Sequence, residues 1–173
     1  MTYSARDINA QLSADLGIIQ TAVTSGAEAE ASGLIHRREV DLTEKFDGVM
    51  AVISGRATLA SGVTLSFLAN FQDSPNGSSW TDMPADAYGH GTATGLAVTV
   101  VRDAAGGALA AQKFAITLGC DLSKADEYIR LQATPDFSSG STDTCLYQAT
   151  LVFGGAAQTP APSIAKTTGT DTT

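Results

Sequence analysis

The stretch that decides the fold class is residues 61–83, SGVTLSFLANFQDSPNGSSWTDM. Its first half places apolar side chains at every second position: Val63, Leu65, Phe67, Ala69 and Phe71. Polar side chains mostly fill the alternate positions: Thr64, Ser66, Asn70 and Gln72. Because side chains along a β-strand point to opposite faces in turn, this pattern predicts a long strand with one face in a core.

The residues that follow this strand, DSPNGS at 73–78, are typical of a tight turn. Pro75 presets its own φ, and Asn76-Gly77 tolerates positive φ. A short return strand is expected to open at Trp80. The whole stretch is therefore predicted to be a β-hairpin.

Segments with strand-like patterns also occur outside this hairpin. They are residues 17–23, 34–42, 46–53, 96–102, 108–118, 126–134 and 144–153. Residues 49–53 are apolar in both phases, which favours a central strand. About eight strands separated by turn signals predict an all-β protein, an antiparallel β-sandwich. The pattern leaves jelly-roll and immunoglobulin-like topologies both open.

Both ends of the chain differ from this strand pattern. Residues 4–12 are compatible with a short helix with Ser4 as N-cap, and Ile8 and Leu12 form a narrow apolar stripe. Residues 156–173 form a low-complexity tail without aromatic residues, which is expected to be disordered alone. We therefore divide the chain into an N-terminal arm (1–15), a β-sandwich domain (16–155) and an extended C-terminal tail (156–173).

Composition narrows the classes of function. A length of 173 residues suits one domain with a substantial core. The formal net charge of −8 argues against nucleic-acid binding, which needs clustered Lys and Arg. Residues 1–15 lack the apolar segment of a secretory signal, and no apolar run is long enough for a membrane helix. A soluble chain made in a cytoplasm is expected.

Candidate catalytic and metal-binding groups are few. Asp82, Asp86 and His90 are spaced by four, but the proline and glycines around them make a shared helix face improbable, so no metal site is predicted. Ser139 lacks the strand-to-helix elbow that a nucleophilic serine needs. No phosphate-binding glycine loop is present. We therefore expect no enzyme activity and no cofactor.

Other reactive or aromatic residues have structural interpretations. His36, beside Arg37 and Arg38, is interpreted as part of a charge cluster on a strand face. A disulfide between Cys120 and Cys145 stays open, but buried free thiols are the preferred interpretation, because a cytoplasm is reducing. Trp80 and Tyr88 are the available aromatic pair for a sugar platform, but Trp80 is better explained as packing at the hairpin end.

Three segments carry a resemblance to a known group of proteins. The pattern of residues 71–83, FQDSPNGSSWTDM, resembles the hairpin of small β-sandwich virion proteins of tailed bacteriophages. There, a strand ending in FQ-S or LQ-S enters an Asn-Gly or Asp-Gly turn and returns through W-T-D or F-T-D. Residues 128–136, YIRLQATPD, resemble their penultimate strand, and residues 145–155, CLYQATLVFGG, resemble their terminal strand. The resemblance covers roughly residues 46–155.

The resemblance implies a structural role in a virion. A head decoration or cement protein of this kind binds the outer surface of an assembled capsid, and its partners are the major capsid protein and copies of itself. It acts without nucleic acid, membrane or small-molecule substrate. The contacts are expected in the arm and the tail, at these residues: Tyr3, Ile8, Leu12, Pro160, Pro162 and Ile164.

Two alternatives remain open. One is a tail-tube, neck or head-completion protein, in which the loop 24–32 or 84–94 would pack between rings. The other is a carbohydrate- or receptor-binding module, for which one Trp and four Tyr are a small supply of aromatic side chains.

Overall fold

A computed structural model describes residues 12–37, 39–41, 44–88, 96–139 and 142–155. The strands are, in chain order, β1 (Ser13–Thr24), β2 (Ala31–Ser32), β3 (His36–Arg37), β4 (Glu39–Asp41), β5 (Glu44–Lys45), β6 (Gly48–Leu59), β7 (Thr64–Ser74), β8 (Thr81–Asp82), β9 (Leu96–Asp103), β10 (Leu109–Asp121), β11 (Tyr128–Phe137) and β12 (Thr144–Gly154). A short 3-10 helix spans Ala85–Tyr88. Of the short helix predicted over residues 4–12, residues 4–11 lie outside the described residues, and Leu12, which is described, has no helical structure.

The strands form two antiparallel sheets, which confirms the predicted sandwich. The four-stranded sheet A has the order β1–β12–β6–β10. In the six-stranded sheet B, β11 and β7 are central neighbours. The strands β2 and β3 pair with the outer side of β11, and β8 and β9 pair with the outer side of β7. β4 and β5 form a separate ribbon.

The order of pairing decides between the two topologies left open by the sequence. The outermost pair is β1 with β12, the next is β2 and β3 with β11, then β6 with β10, and the innermost is β7 with β9. The chain thus pairs like one long hairpin that has been rolled into two sheets. This nesting is the jelly-roll topology, so the immunoglobulin-like alternative is wrong.

The alternation predicted for the apolar residues from Val63 to Phe71 is confirmed side chain by side chain. The apolar positions around and along β7 are all at most 4% exposed: Val63, Leu65, Phe67, Ala69 and Phe71. Phe67 joins the sheets, because its ring centroid lies 5.0 Å from that of Tyr147 and 5.4 Å from that of Phe114, both in sheet A. The polar phase is less uniform than expected, since Ser66 is buried while its neighbour Leu68 is exposed.

The hairpin turn also forms as predicted. The Asn76 side-chain oxygen accepts hydrogen bonds from the backbone N–H groups of Ser78 and Ser79, at 2.9 Å each. The Ser74 hydroxyl oxygen accepts one from the N–H of Gly77, at 2.9 Å. Gly77 has a φ of 73°, a left-handed conformation that a glycine adopts without strain.

Two strand predictions need correction. Residues 34–42 do not form one strand, because the backbone changes partner from β11, in β3, to β5, in β4. The strand predicted to end at residue 134 runs on through Pro135 in β11. β2 pairs with β11 only as far as Ala133, and at Pro135 the one described neighbouring strand is β7. A proline, which has no N–H to donate, is tolerated at such an edge position.

The interior position predicted for residues 46–53 is confirmed, since β6 lies between β12 and β10. Its two apolar phases nevertheless have different surroundings. Val49, Ala51 and Ile53 are buried, whereas Met50 is 41% exposed and Val52 is half-buried. The apolar pattern indicated burial on both faces of the strand. In the structure, every second apolar residue instead lies on the outer face of sheet A. No helix within the described residues is long and apolar enough to cross a membrane.

Candidate docking face on sheet A

The carboxylates considered as metal ligands are engaged elsewhere. Asp82 accepts hydrogen bonds from the side-chain amides of Asn70 and Gln72, at 2.7 Å each. Asp86 pairs with Lys124 at 2.8 Å, and this hydrogen bond holds the pKa of Asp86 below its ordinary value. His90 lies outside the described residues. In the described part of the chain no three metal-binding side chains come together.

Cys120 and Cys145 are buried free thiols, as predicted. They pair in the sheet with Val49 and Ala57 of β6, which lie eight residues apart. At ~3.3 Å per residue this separates the cysteines by on the order of 26 Å, far beyond disulfide reach. Burial raises the pKa of each thiol to about 12.

Neither thiol is therefore expected to react with Ellman's reagent at pH 8 while the protein is folded, because a protonated, inaccessible thiol is a poor nucleophile. Both should react after denaturation. A control cysteine at the exposed position Ala22, in Ala22→Cys, should react at once. The two thiols also make stability depend on pH. In the unfolded chain they lose their protons above about pH 9.0, whereas in the folded protein they keep them up to about pH 12. The free energy of unfolding should therefore fall as the pH rises from 9.0 toward 12. Fast labelling of the folded wild type would contradict this environment.

The interpretation of His36 as part of a surface charge cluster is wrong. Its side chain is fully buried, and its Nε2 lies 3.0 Å from the carbonyl oxygen of Leu16. The ring packs at 5.8 Å from that of Phe153, and Nδ1 lies 3.6 Å from an Asp15 carboxylate oxygen. Alternation turns this side chain inward while Arg37 remains exposed. Because three basic residues are consecutive in the sequence, their pattern did not show that His36 is buried while Arg37 is exposed.

The aromatic pair does not form a sugar platform. Tyr88 is buried, and its hydroxyl accepts a hydrogen bond from the N–H of Phe71 at 2.7 Å. Burial raises the pKa of this hydroxyl above its ordinary value. Trp80 packs at the hairpin end, as predicted, with the Arg130 guanidinium 4.4 Å from its ring centroid. Gln72 holds that guanidinium through hydrogen bonds of 2.6 and 2.9 Å.

Of the predicted interface residues, Leu12 lies within the described part of the chain. It is 41% exposed and lies beside β12, since a Cβ at Gly154 would approach its Cδ2 to 3.2 Å. The other five, Tyr3, Ile8, Pro160, Pro162 and Ile164, lie outside the described residues. Ser13, which the sequence assigned to the arm, is already the first residue of β1 and pairs with Phe153, so the chain enters and leaves the sandwich at the same end of sheet A.

The outer face of sheet A next to this end is apolar. Cross-strand pairing places Ala14 beside Val152 and Val152 beside Met50. The next row along the strands that faces the same side of the sheet places Leu16 and Val52 on either side of Thr150. We call the exposed or half-buried apolar side chains of these rows, together with Leu12, the apolar patch: Leu12, Ala14, Leu16, Met50, Val52 and Val152.

The same outer face carries no carboxylate over most of its length. From the row of Met50 to the row of Thr58, its outward side chains are apolar, hydroxyl or amide groups and the cations Arg56 and Lys113. In a chain with 18 acidic and 10 basic residues, an acid-free face of this extent is unusual. The sequence signal for the apolar part of this face is the two-phase apolar run 49–53.

Comparison with known proteins adds little to this picture. No protein-family model and no curated protein matches the chain. Among solved structures, a dimeric latent PorU from Porphyromonas gingivalis is similar at 12% identity and a TM-score of 0.39, over 90% of this chain and 14% of PorU. The structure of the infectious bursal disease virus Gx strain is similar at 9% identity and a TM-score of 0.33, over 84% of this chain and 38% of that chain. Likenesses at this level carry no functional argument, and the resemblance to tailed-phage virion proteins stays a prediction.

Proposed function

We propose that this protein is a structural virion protein, a decoration or cement protein that binds the outer surface of a tailed-phage head. The single observation that carries the proposal is the acid-free outer face of sheet A with its apolar patch. Contiguous apolar surface rimmed by polar groups is typical of protein-binding sites. The proposed partners are the major capsid protein and further copies of this chain, and the role requires no catalysis.

The place where the sandwich begins and ends also supports docking through the outer face of sheet A. Leu12 belongs to the apolar patch, and the segments that carry Tyr3 and Ile8, and Pro160 to Ile164, join the sandwich at that corner. Contacts from both segments would therefore extend the docked face. Weak individual contacts repeated over a capsid lattice produce high avidity without a large interface per copy.

The alternatives have less support. A sugar-binding module needs exposed aromatic faces, whereas Tyr88 is buried and Trp80 is occupied by Arg130. A tail-tube or neck protein needs a free loop. The first part of the loop 84–94 is a 3-10 helix whose Ala87 and Tyr88 are buried. The loop 24–32 is held at its start by the Ser25 N–H, which donates to the Asp143 carbonyl oxygen at 3.0 Å, and at its end by β2, which pairs with β11.

A charge placed in the apolar patch tests the proposal. Met50→Glu should lower the binding of the protein to capsids at least about tenfold, because a docked interface would bury an unpaired carboxylate. The measurement is cosedimentation with capsids built from the major capsid protein of the same virus.

Leu68→Glu is the matched control, because Leu68 is 46% exposed on the outer face of sheet B, against 41% for Met50. Leu68→Glu should bind capsids like the wild type. Met50→Glu and Leu68→Glu should both have the melting temperature of the wild type. Loss of binding in Leu68→Glu alone would place the docking face on sheet B. Binding of the wild type to tail tubes instead of capsids would support the tail alternative and contradict the proposal.

A further inference from the structure

A basic groove lies beside the apolar patch on the outer face of sheet A. One cross-strand row runs over all four strands, from Ala22 through Leu146 and Arg56 to Lys113. Arg56 and Lys113 are thus directly opposite one another in the β6–β10 ladder, and both are exposed. Like charges in such positions destabilise a sheet. An anion bound between them would relieve this repulsion.

Arg56 and Lys113 differ from three other cationic side chains, whose charges are engaged by neighbouring groups. Arg37 forms a salt bridge with Glu127, and Lys124 forms one with Asp86. Arg130 is held by Gln72 and Trp80, as described above. Within the described residues, neither Arg56 nor Lys113 forms a salt bridge. Their charges are therefore available to a ligand.

The surroundings of the two cations form a shallow groove of about 520 Å³. Its polar lining also includes Gln20, Ser54 and Gln148. A neighbouring hollow of about 480 Å³ shares Arg56 and Leu146 with it and is lined further by threonine hydroxyls. No Asp or Glu lines either space. The groove thus offers two positive charges among neutral hydrogen-bonding groups.

Backbone strain occurs at the edge of the same hollow. Ala111 has a φ of 49°, a left-handed conformation that is strained for a residue with a Cβ. It lies in the register shift of β10 between Leu109 and Gln112, and its N–H donates to the Thr58 hydroxyl at 3.2 Å. Such strained residues cluster at functional sites. Here Ala111 lines the hollow that shares Arg56 with the groove.

We infer that this groove binds an extended acidic segment of a protein partner, with a Glu or Asp side chain held between Arg56 and Lys113. Guanidinium groups bind carboxylates through paired hydrogen bonds, and the side-chain amides of Gln20 and Gln148 suit peptide groups. Two cations on a chain of net charge −8 do not favour a nucleic acid. The aromatic residues that line the groove, Phe114 and Tyr147, are buried, so no ring is offered to a sugar. This inference rests on the proposed function, because it specifies the chemistry of the partner that the outer face of sheet A would bind.

Calorimetric titration of the full chain with a nine-residue peptide of alternating Ser and Glu tests the inference without capsids. Binding is expected at low ionic strength and should weaken with added salt. Arg56→Gln and Lys113→Gln should each weaken binding about tenfold, the effect of losing one charge-assisted hydrogen bond. A peptide of alternating Ser and Gln should not bind.

Lys124→Gln is the matched control, because Lys124 is an exposed lysine whose partner Asp86 lies outside the groove. It should bind the acidic peptide like the wild type. Equal binding by Arg56→Gln and the wild type would overturn the inference. Tighter binding of an oligoglucuronate than of the peptide, lost in the same variants, would replace it with an acidic-sugar site.

Discussion

Phe67→Ala is expected to lower the free energy of unfolding by about 3–5 kcal/mol, the range for losing a buried phenylalanine and leaving a cavity. The ring is fully buried and contacts Phe114 and Tyr147 across the sandwich. Its loss therefore removes a packing contact between the sheets as well as apolar area. Because small domains are stable by roughly 5–15 kcal/mol, this is a large part of the total.

Urea unfolding followed by tryptophan fluorescence measures the loss, since the chain has a single Trp. Leu68→Ala is the control one residue along the same strand, where the side chain is 46% exposed, and it should cost less than about 1 kcal/mol. Similar losses in the two variants would mean that β7 presents its faces differently from the described register.

Gly55→Ala should cost at least about 3 kcal/mol, at the upper end of the range for overpacking. Gly55 lies in β6, between Tyr147 of β12 and Phe114 of β10. An added Cβ would clash with the backbone oxygen of Leu146 and would lie 2.9 Å from both the Tyr147 Cα and the Phe114 Cζ. Two of these atoms belong to the backbone of the adjacent strand, so β12 would have to move away from β6.

The matched control is Gly119→Ala, in β10 of the same sheet. A Cβ there would meet nothing within 4 Å. The substitution should be neutral or stabilise the protein by up to about 1 kcal/mol, because alanine restricts the unfolded chain. Thermal unfolding of both variants gives the comparison. If Gly55→Ala melts like Gly119→Ala, the close packing of β12 on β6 is not present in solution.

These two sites differ in how visible they are in the sequence. Phe67 belongs to a period-two pattern, which is a local property of consecutive residues and could be recognised directly. The need for glycine at position 55 depends on Leu146 and Tyr147, far along the chain. No local pattern around Gly55 signals that contact.

The proposed docking face shows the same division. The two-phase apolar run at residues 49–53 was visible, but it indicated a strand buried on both sides. Strands flank β6 within its sheet, whereas burial of its outer phase requires a further layer over sheet A. With Met50 41% exposed, the same residues now indicate a surface for a partner. The distinction depends on which layer covers a sheet, and that is a tertiary property.

The sequence by itself determined the all-β class, the β7 core face, the Asn76-Gly77 turn and the burial of both cysteines. Each of these follows from alternation, turn chemistry or side-chain type within a short window. Tertiary structure alone decided the jelly-roll nesting, the inward position of His36 and the pairing of Arg56 with Lys113. These depend on strands distant in the chain becoming neighbours, and the side-chain contacts that select a strand's partner are made only after the chain has folded, so no pattern within a short window specifies them.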